Sequence, residues 1–521
     1  MKTFVQRQGE HVIGVLNGFD RLRLRGTKRL LASVMGMLAY MTHQSILLKD
    51  FGQFALQSTA QIVAATKELL RSSGRPYVYL GSPSIDKEQQ ARAIAQRDGI
   101  GEGLICVLGS VEPCWSFDIH RNRETRKLDL VARYRKGLHY YHYFQHPVFG
   151  FMHARLQTWL PYNVHVCLNG REWLARQMDR RGICYLRREN CFVDVQDIPA
   201  AQQLLDEQLR TDWPTELNRI AERVNPAEAA LFGKFPVPYY WSADQTEWAT
   251  DILFRSPGEL SRLYPTLIRY GMEAFGSRDV LRFLGQKVPA SRGVHGNFKG
   301  QVTTDLKERP EGMRIKHSLN ANSVKMYDKQ GSVLRVETTI NNVRQLKAYR
   351  PKQGDEDGPK SWKRMRKGIA DLHRRAELSQ ASNERYLEAL SAAEESRPLK
   401  ELVRPLCRRV RWKGKTVRAM NPLSSGDANL LAAVSKGEFL LNGMRNRDLR
   451  VLLMGEDPKD KAEVRRRSGK VTRLLRLLRA HGLVHKLPHT HRYMLSPKGR
   501  AAASALLSAQ AADIKKLTAA A

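Results

Sequence analysis

Apolar positions recur along the chain with two different periods, and the period changes at a few recognisable points. Between residues 19 and 74, Leu22, Leu30, Leu31, Val34, Leu38 and Met41 fall near helical spacing, which predicts two helices broken near Lys49-Asp50 and ended by RSSGRP. From Tyr77 to Val195 the pattern turns to aromatic and β-branched runs: YVYLGS, GLICVLGSV, WSFDIH, LDLVARY, HYYHYF, FGFMHARLQTW, NVHVCLNG and GICYLRRENCFVDV. These read as strands, interrupted by helices after Ser84 and Gly170. Residues 199–285 return to helix, and 313–348 contain a hairpin, SVKMYDK and SVLRVETTI, turning at Gln330-Gly331. After Tyr349 the segment RPKQGDEDGPKSWKR is polar and aperiodic, a natural boundary. A long helix over 368–395 follows, and then a basic extended stretch, RRVRWKGKTVRAMNP. Two short helices at 428–435 and 446–454 precede a longer one at 459–481, which starts behind Asp457-Pro458 as N-cap and first-turn proline. HGLVHKLPHTHRYMLS then forms a hairpin with its tip at Pro488 to His491, and Ser496-Pro497 starts a last helix.

The expected fold class is therefore α+β and multidomain. A helical N-terminal segment covers 1–75, and a central, mainly antiparallel β-sheet domain with helices covers 76–348. A basic linker with a long helix covers 349–423, and a helical C-terminal domain covers 424–521. A chain of 521 residues exceeds what one core sustains.

Charge narrows the partner. The chain carries 87 Lys and Arg against 52 Asp and Glu, a net +35, which concentrates polyanions at the surface and drives binding by counterion release. Nucleic acid is the expected polyanion. Residues 397–500 hold 26 Lys and Arg against 8 Asp and Glu, a surplus of 18 on a fifth of the chain. Six cysteines form no C-x-x-C pair and no short Cys/His ladder, so neither structural zinc nor a disulfide framework is indicated, and a reducing cytoplasm is expected. The apolar run LLASVMGMLAYM is too short for a membrane span, so no membrane partner is expected.

In the third C-terminal helix, Val471, Leu474, Leu475 and Leu478 share one face, while Arg466, Gly469, Arg473 and Arg476 project from the other. This order of helix, helix, long basic helix and hairpin resembles the winged helix of MarR-like bacterial regulators. The most specific part is VTRLLRLLRAHGLVHKLPHTHRYMLSPKGR. The resemblance implies a C-terminal winged helix-turn-helix with its third helix in the major groove of duplex DNA and its wing beside the backbone or minor groove. Arg466, Lys470, Arg473 and Arg476 on the helix, with His489, His491 and Arg492 at the wing, are then the DNA-binding residues. The chain as a whole is also similar to a bacterial protein group that brings no activity with it.

Three features of the central region bear on chemistry. In KMYDKQGSVLRVETTI, alternation puts Arg335 and Glu337 on one face of a strand, away from Leu334 and Val336. The pair of strands resembles the Y-D-K … R-x-E hairpin of rolling-circle replication initiators, which implies that Glu337 helps hold a divalent metal beside a phosphate. Histidines 139, 142, 146, 153 and 165 crowd one stretch. Nicking enzymes of the HUH type need two histidines on alternate positions of one strand, and here His165-Val166-Cys167 puts Cys where the second would stand. In DQTEWATD, Asp244, Glu247 and Asp251 share a face if the segment is helical, and with His165 they are candidate metal ligands. Tyr239 and Tyr240, just upstream, are the candidate nucleophiles. Each group has a structural alternative: cross-strand pairing for Arg335 and Glu337, packing for the histidines, and pairing with arginine for the acids.

Taken together, the sequence reads as a DNA-binding protein of mobile-element or replication-initiator type. The enzymatic version is a Mg2+- or Mn2+-dependent DNA endonuclease or strand transferase. The alternatives are a non-enzymatic regulator or architectural DNA-binding protein, and an RNA-binding protein that uses HYYHYF and LVARYRK as a stacking surface.

Overall fold

The computed structural model describes residues 1–286, 300–309, 312–352, 354–355, 357–391, 399–436, 438–439, 443–488 and 490–511. The fold is mixed α+β with a large mixed sheet, and no helix among the described residues is long and apolar enough to cross a membrane. The chain divides into two compact units, Gly14–Asp251 with Glu337–Gln380, and Met1–Ile13 with Ile252–Val336 and Ala381–Ala521.

In the first of these, the strand β1 (Val12–Lys28) occupies the start of the stretch expected to be helical. Its local pattern explains the correction. Leu22 and Leu24 are buried and alternate with Arg21, Arg23 and Arg25, a period of two that suits a strand, and the helices begin only afterwards, at Val34–His43 and Phe51–Ser73. β1 pairs antiparallel with β2 (Val164–Asn169), which runs directly into the helix α1 (Gly170–Arg181). The Asn169 side chain caps that helix by accepting from the Arg171 and Glu172 amides. Gly170 is required there, because a Cβ would fall 1.7 Å from the Phe19 carbonyl oxygen. Helix α1 can therefore start hard against β1.

A second correction concerns the acidic segment. Helices Ile198–Gln208, Trp213–Val224 and Glu228–Phe232 lie where helix was expected, but Tyr239–Phe254 is a strand, β3. Nearly every residue from Trp241 onward is buried, polar ones included, so both faces are covered and the segment carries no apolar-polar alternation to identify it. Through the unit the strands lie in the order β4 (Val333–Ile340), β3, β1, β2, Gly150–Gln157, Leu128–His146, Gly103–Arg121, Tyr77–Tyr79. Pairing is antiparallel from β1 to Gly103–Arg121, and Tyr77–Tyr79 joins parallel. GLICVLGSV and WSFDIH belong to one long strand, as do LDLVARY and HYYHYF. Helix α2 (Leu372–Leu390) lies on one face, where Gln380 accepts from the Trp248 indole at 2.7 Å and Trp248 meets Phe19 edge-on.

The other unit contains a meander of Val302–Arg309, Gly312–Leu319, Asn322–Lys329 and the start of β4. Gln330 and Gly331 both take positive φ, 58° and 75°, as a two-residue hairpin turn demands. Further along come a short hairpin, β5 (Val410–Trp412) with β6 (Lys415–Val417), and the helices α3 (Ser425–Val434), α4 (Asn446–Met454) and α5 (Lys461–Ala480). The strands β7 (Val484–Lys486) and β8 (Tyr493–Leu495) and the helix Pro497–Ala511 complete it, and Met444 bridges to Tyr493 as a third strand position beside β8. One core joins these pieces: Leu430, Leu431 and Val434 of α3, Leu449 of α4, Val471, Leu475 and Leu478 of α5, and Val484 and Leu495 of the hairpin. Each such side chain contributes about 1.5–3 kcal/mol by leaving water. Helix α5 is capped by Asp460, which accepts from the Ala462 and Glu463 amides. The expected cap, Asp457, pairs instead with Arg450 at 2.5 Å.

Candidate functional site

Three carboxylates from distant parts of the sequence converge on neighbouring strands. Asp20 stands on β1, Glu247 on β3 and Glu337 on β4, and one oxygen from each lies within 4.8 Å of the others. Among the described residues this is the group of His, Cys, Asp and Glu side chains with the geometry to hold a metal ion. Asp20 and Glu337 are buried, 5% and 1% exposed, and Glu247 reaches the edge at 9%. A neutral donor orients each one. Asn190 Nδ2 donates to Asp20 at 2.8 Å, Gln245 Nε2 to Glu247 at 3.4 Å, and Thr339 Oγ1 to Glu337 at 3.4 Å.

Two arginines approach this cluster from outside. Arg21 Nε is 4.0 Å from Glu247, and Arg171 Nε is 3.9 Å from Asp20 while its Nη2 makes the closer contact, 2.8 Å, to Asp251. Burial would lower the Arg21 pKa, but Glu247, Cys167, Asp20 and Glu337 outweigh it and hold the guanidinium above its ordinary value. Three carboxylates this close repel by about 3 kcal/mol per pair at an effective dielectric constant near 20. A divalent cation, which takes oxygen ligands at roughly 2.0–2.6 Å, relieves that repulsion.

The structure brings some of the expected residues here and takes others elsewhere. Because β3 is a strand, Asp244 faces away from Glu247 and Asp251. Asp244 meets Arg25 at 2.6 Å, Lys367 at 2.7 Å and His165 at 3.8 Å, and Asp251 meets Arg171. Neither Asp244, Asp251 nor His165 belongs to the carboxylate cluster. Arg335, two positions before Glu337 on β4, is fully buried. Tyr239 and Tyr240 open β3, while Glu247 lies in its middle, roughly 25 Å away at the rise of an extended strand. Burial raises the Tyr239 phenol well above its ordinary pKa, and its hydroxyl donates to the Tyr162 carbonyl oxygen, while Tyr240 packs under Arg29. Burial also draws the histidines down. His139, His142 and His146 fall to about 4 and His153 to about 3, and His165 falls well below 6.5, so all five are neutral at pH 7.

Asp20, Asn190 and Arg171 escaped the sequence reading. The alternation around FDRLRLRG was the available signal for Asp20, since it marks a strand able to carry a side chain into a sheet-borne site.

A second surface lies on α5. Arg465, Arg466, Lys470 and Arg473 are exposed around Gly469, and of these Arg466 pairs with Glu463 while Lys470 and Arg473 form no ion pair among the described residues. Arg476 is half-buried, 6.0 Å from the Trp412 ring. His491 is exposed, and Arg492 is half-buried, with Nη1 donating to the Gly443 carbonyl at 3.5 Å. His489 lies outside the described residues. His491 lines a cleft with Arg445, Arg447, Arg450, Ser468 and Thr472, a polar and basic recess between α4, α5 and the hairpin β7–β8.

No protein family, curated protein or solved structure matches this chain.

Proposed function

We propose that this protein binds duplex DNA through a C-terminal winged helix and cuts or transfers a DNA strand at Asp20, Glu247 and Glu337, as a mobile-element or replication-initiation protein. The convergence of those three carboxylates on adjacent strands carries the enzymatic part of this reading. The residues fit Mg2+ or Mn2+, hard cations that take oxygen ligands and that, when bound, polarise a phosphoryl oxygen and neutralise charge developing on it. Asp20, Glu247 and Glu337 hold the cation in this reading. Arg21, still charged and partly exposed at the rim, is placed to meet an incoming phosphate.

The position of Tyr239 and Tyr240 favours hydrolysis over a tyrosine-linked intermediate. Water then supplies the new P–O bond as the bond to the leaving ribose oxygen breaks. The binding part rests on the surplus of 18 positive charges in residues 397–500 and on the exposed basic face of α5.

The test combines binding and chemistry on the full chain. Mn2+ at saturation is expected to raise the thermal midpoint, since a ligand at 100 times its Kd adds about 2.7 kcal/mol, and the protein is expected to nick supercoiled plasmid without a covalent link to it. Asp20→Asn is expected to abolish both effects. Absence of a Mn2+ shift together with absence of nicking would leave the cluster as an internal ion-pair network and the protein as a non-enzymatic DNA binder.

A further inference from the structure

We propose that the hairpin β5–β6 is a second arm that grips the phosphate backbone of the duplex bound by α5, pinned to that helix by Trp412. This rests on the DNA-binding reading above and adds a site to it.

From Arg404 to Arg418 the chain has seven Lys and Arg and no Asp or Glu. The structure folds the middle of this stretch into a tight hairpin. Val410 opposes Val417, Arg411 opposes Thr416 and Trp412 opposes Lys415, with Lys413 and Gly414 as the two turn residues. Both take positive φ, 50° and 73°, the conformation that a two-residue turn needs to match strand twist, and glycine supplies it without strain at the second position. The two faces differ. Val417 packs on the core shared by α3, α4 and α5, and Val410 and Trp412 are half-buried. Arg411 and Thr416 point the other way and are exposed, as are Lys413 and Lys415 at the tip. Arg411, Lys413 and Lys415 form no ion pair among the described residues.

The hairpin's seat on α5 links it to the basic face of that helix. Strand β5 packs against α5, and the Trp412 ring has Arg479 at 5.1 Å, Arg476 at 6.0 Å and Lys413 at 5.3 Å from its centre. Arg479 also lies 5.9 Å from the Tyr493 ring of β8. On α5 itself the basic face closes early: Leu477, one turn beyond Arg473 on the same side, is buried. The open cations of the helix end at Arg473, and those of the hairpin begin beside the turn that follows. A row of unpaired cations on a rigid, aromatic-anchored hairpin fits a regular polyanion. Two of the three cations are lysines, whose flexible stems carry no geometry for reading bases, and the arm adds charge along the backbone, so the expected contribution is affinity without sequence preference.

The experiment uses the full-length protein and a fluorescent random-sequence duplex of about 30 base pairs, titrated across salt. For the triple variant Arg411→Ala, Lys413→Ala, Lys415→Ala, three lost phosphate contacts predict a slope of log K on log salt shallower by about 2.7, with binding at least tenfold weaker at about 0.1 M salt. Trp412→Ala, which removes no charge, is expected to weaken binding in the same direction, and Trp412→Phe to restore most of it. An unchanged slope in the triple variant, while Lys470→Ala with Arg473→Ala lowers it, would overturn the arm and leave the DNA-binding reading standing. No duplex binding by the wild-type chain would overturn both. Preference for single-stranded RNA over duplex, lost in the triple variant, would overturn the assignment of the arm to DNA. Unchanged thermal midpoints in the charge variants certify that the fold is intact.

Discussion

Glutamate and glutamine are nearly the same size, so Glu337→Gln changes charge and little else at a position only 1% exposed. The two accounts of the carboxylate cluster give opposite signs for it. If the three acids are held ready for a cation, removing one charge relieves repulsion of about 3 kcal/mol per pair, and the metal-free variant should unfold at the same temperature as wild type or higher. If the acids exist to neutralise buried arginines, the change strands a buried guanidinium and costs about 3–5 kcal/mol. A thermal melt of both proteins in chelator distinguishes the two, and the expected outcome is no loss. In Mn2+ the order should reverse, because only the wild type gains the ligand. Thr339, which donates to Glu337, can donate equally to the amide oxygen of glutamine, so the side chain keeps its orientation.

At the scale of elements, the helix α5 and the hairpin β7–β8 differ in how much of their charge the fold has already used. Arg473 is exposed and makes no ion pair among the described residues, whereas Arg492 donates to the Gly443 carbonyl and is half-buried. Arginine reads guanine through two hydrogen bonds in the major groove. Arg473→Ala is therefore expected to cost about 1–3 kcal/mol on a duplex selected from a random pool and little on unselected DNA. Arg492→Ala should weaken both alike and lower the salt slope by about one unit. Competition binding with the two duplexes measures this, and equal losses from Arg473→Ala would reduce α5 to an electrostatic clamp. The Val471, Leu475 and Leu478 stripe of α5 was legible because helical spacing is local. Strand β1 was misread for the complementary reason. Its alternation spans only a few residues, the helical spacing downstream is stronger, and the strand pairs with β2, which lies far along the chain.

Over the whole molecule, the +35 charge sets the response to polyanions, and the buried histidines set the response to pH. His139, 2% exposed, and His142, 0% exposed, are each drawn by burial to about 4, below the 6.5 of an unfolded chain. The sign follows from the depressed value. Above about pH 6.5 neither state binds the proton and stability is unaffected; as pH falls from there toward 4, the unfolded chain takes up protons that the folded one refuses, and stability is lost. Each group contributes about 1.4 kcal/mol per pH unit in that window. Thermal midpoints are expected to be flat from pH 8 to 7 and to fall steeply between about pH 6 and pH 4.5, with His142→Gln showing a shallower fall by about one proton. A midpoint independent of pH through that window would mean that these imidazoles are solvated.

Some properties of this protein follow from sequence alone because they are local or additive. The charge surplus of residues 397–500, the spacing of α5 and the Gln330-Gly331 turn need no knowledge of which strands are neighbours. Glu337 was legible as well, through its alternation with Val336 on a strand. Its partners were not. Asp20 and Glu247 meet it only because β1, β3 and β4 lie side by side, an order set by burial of both sheet faces and by long-range strand pairing that no local pattern encodes. For the same reason the strand character of β3 separated Asp244 from Glu247, which helical spacing had placed on one face. Tertiary structure decided which acids converge, and it did so through strand order, the one property of a sheet that depends on residues far apart in the chain.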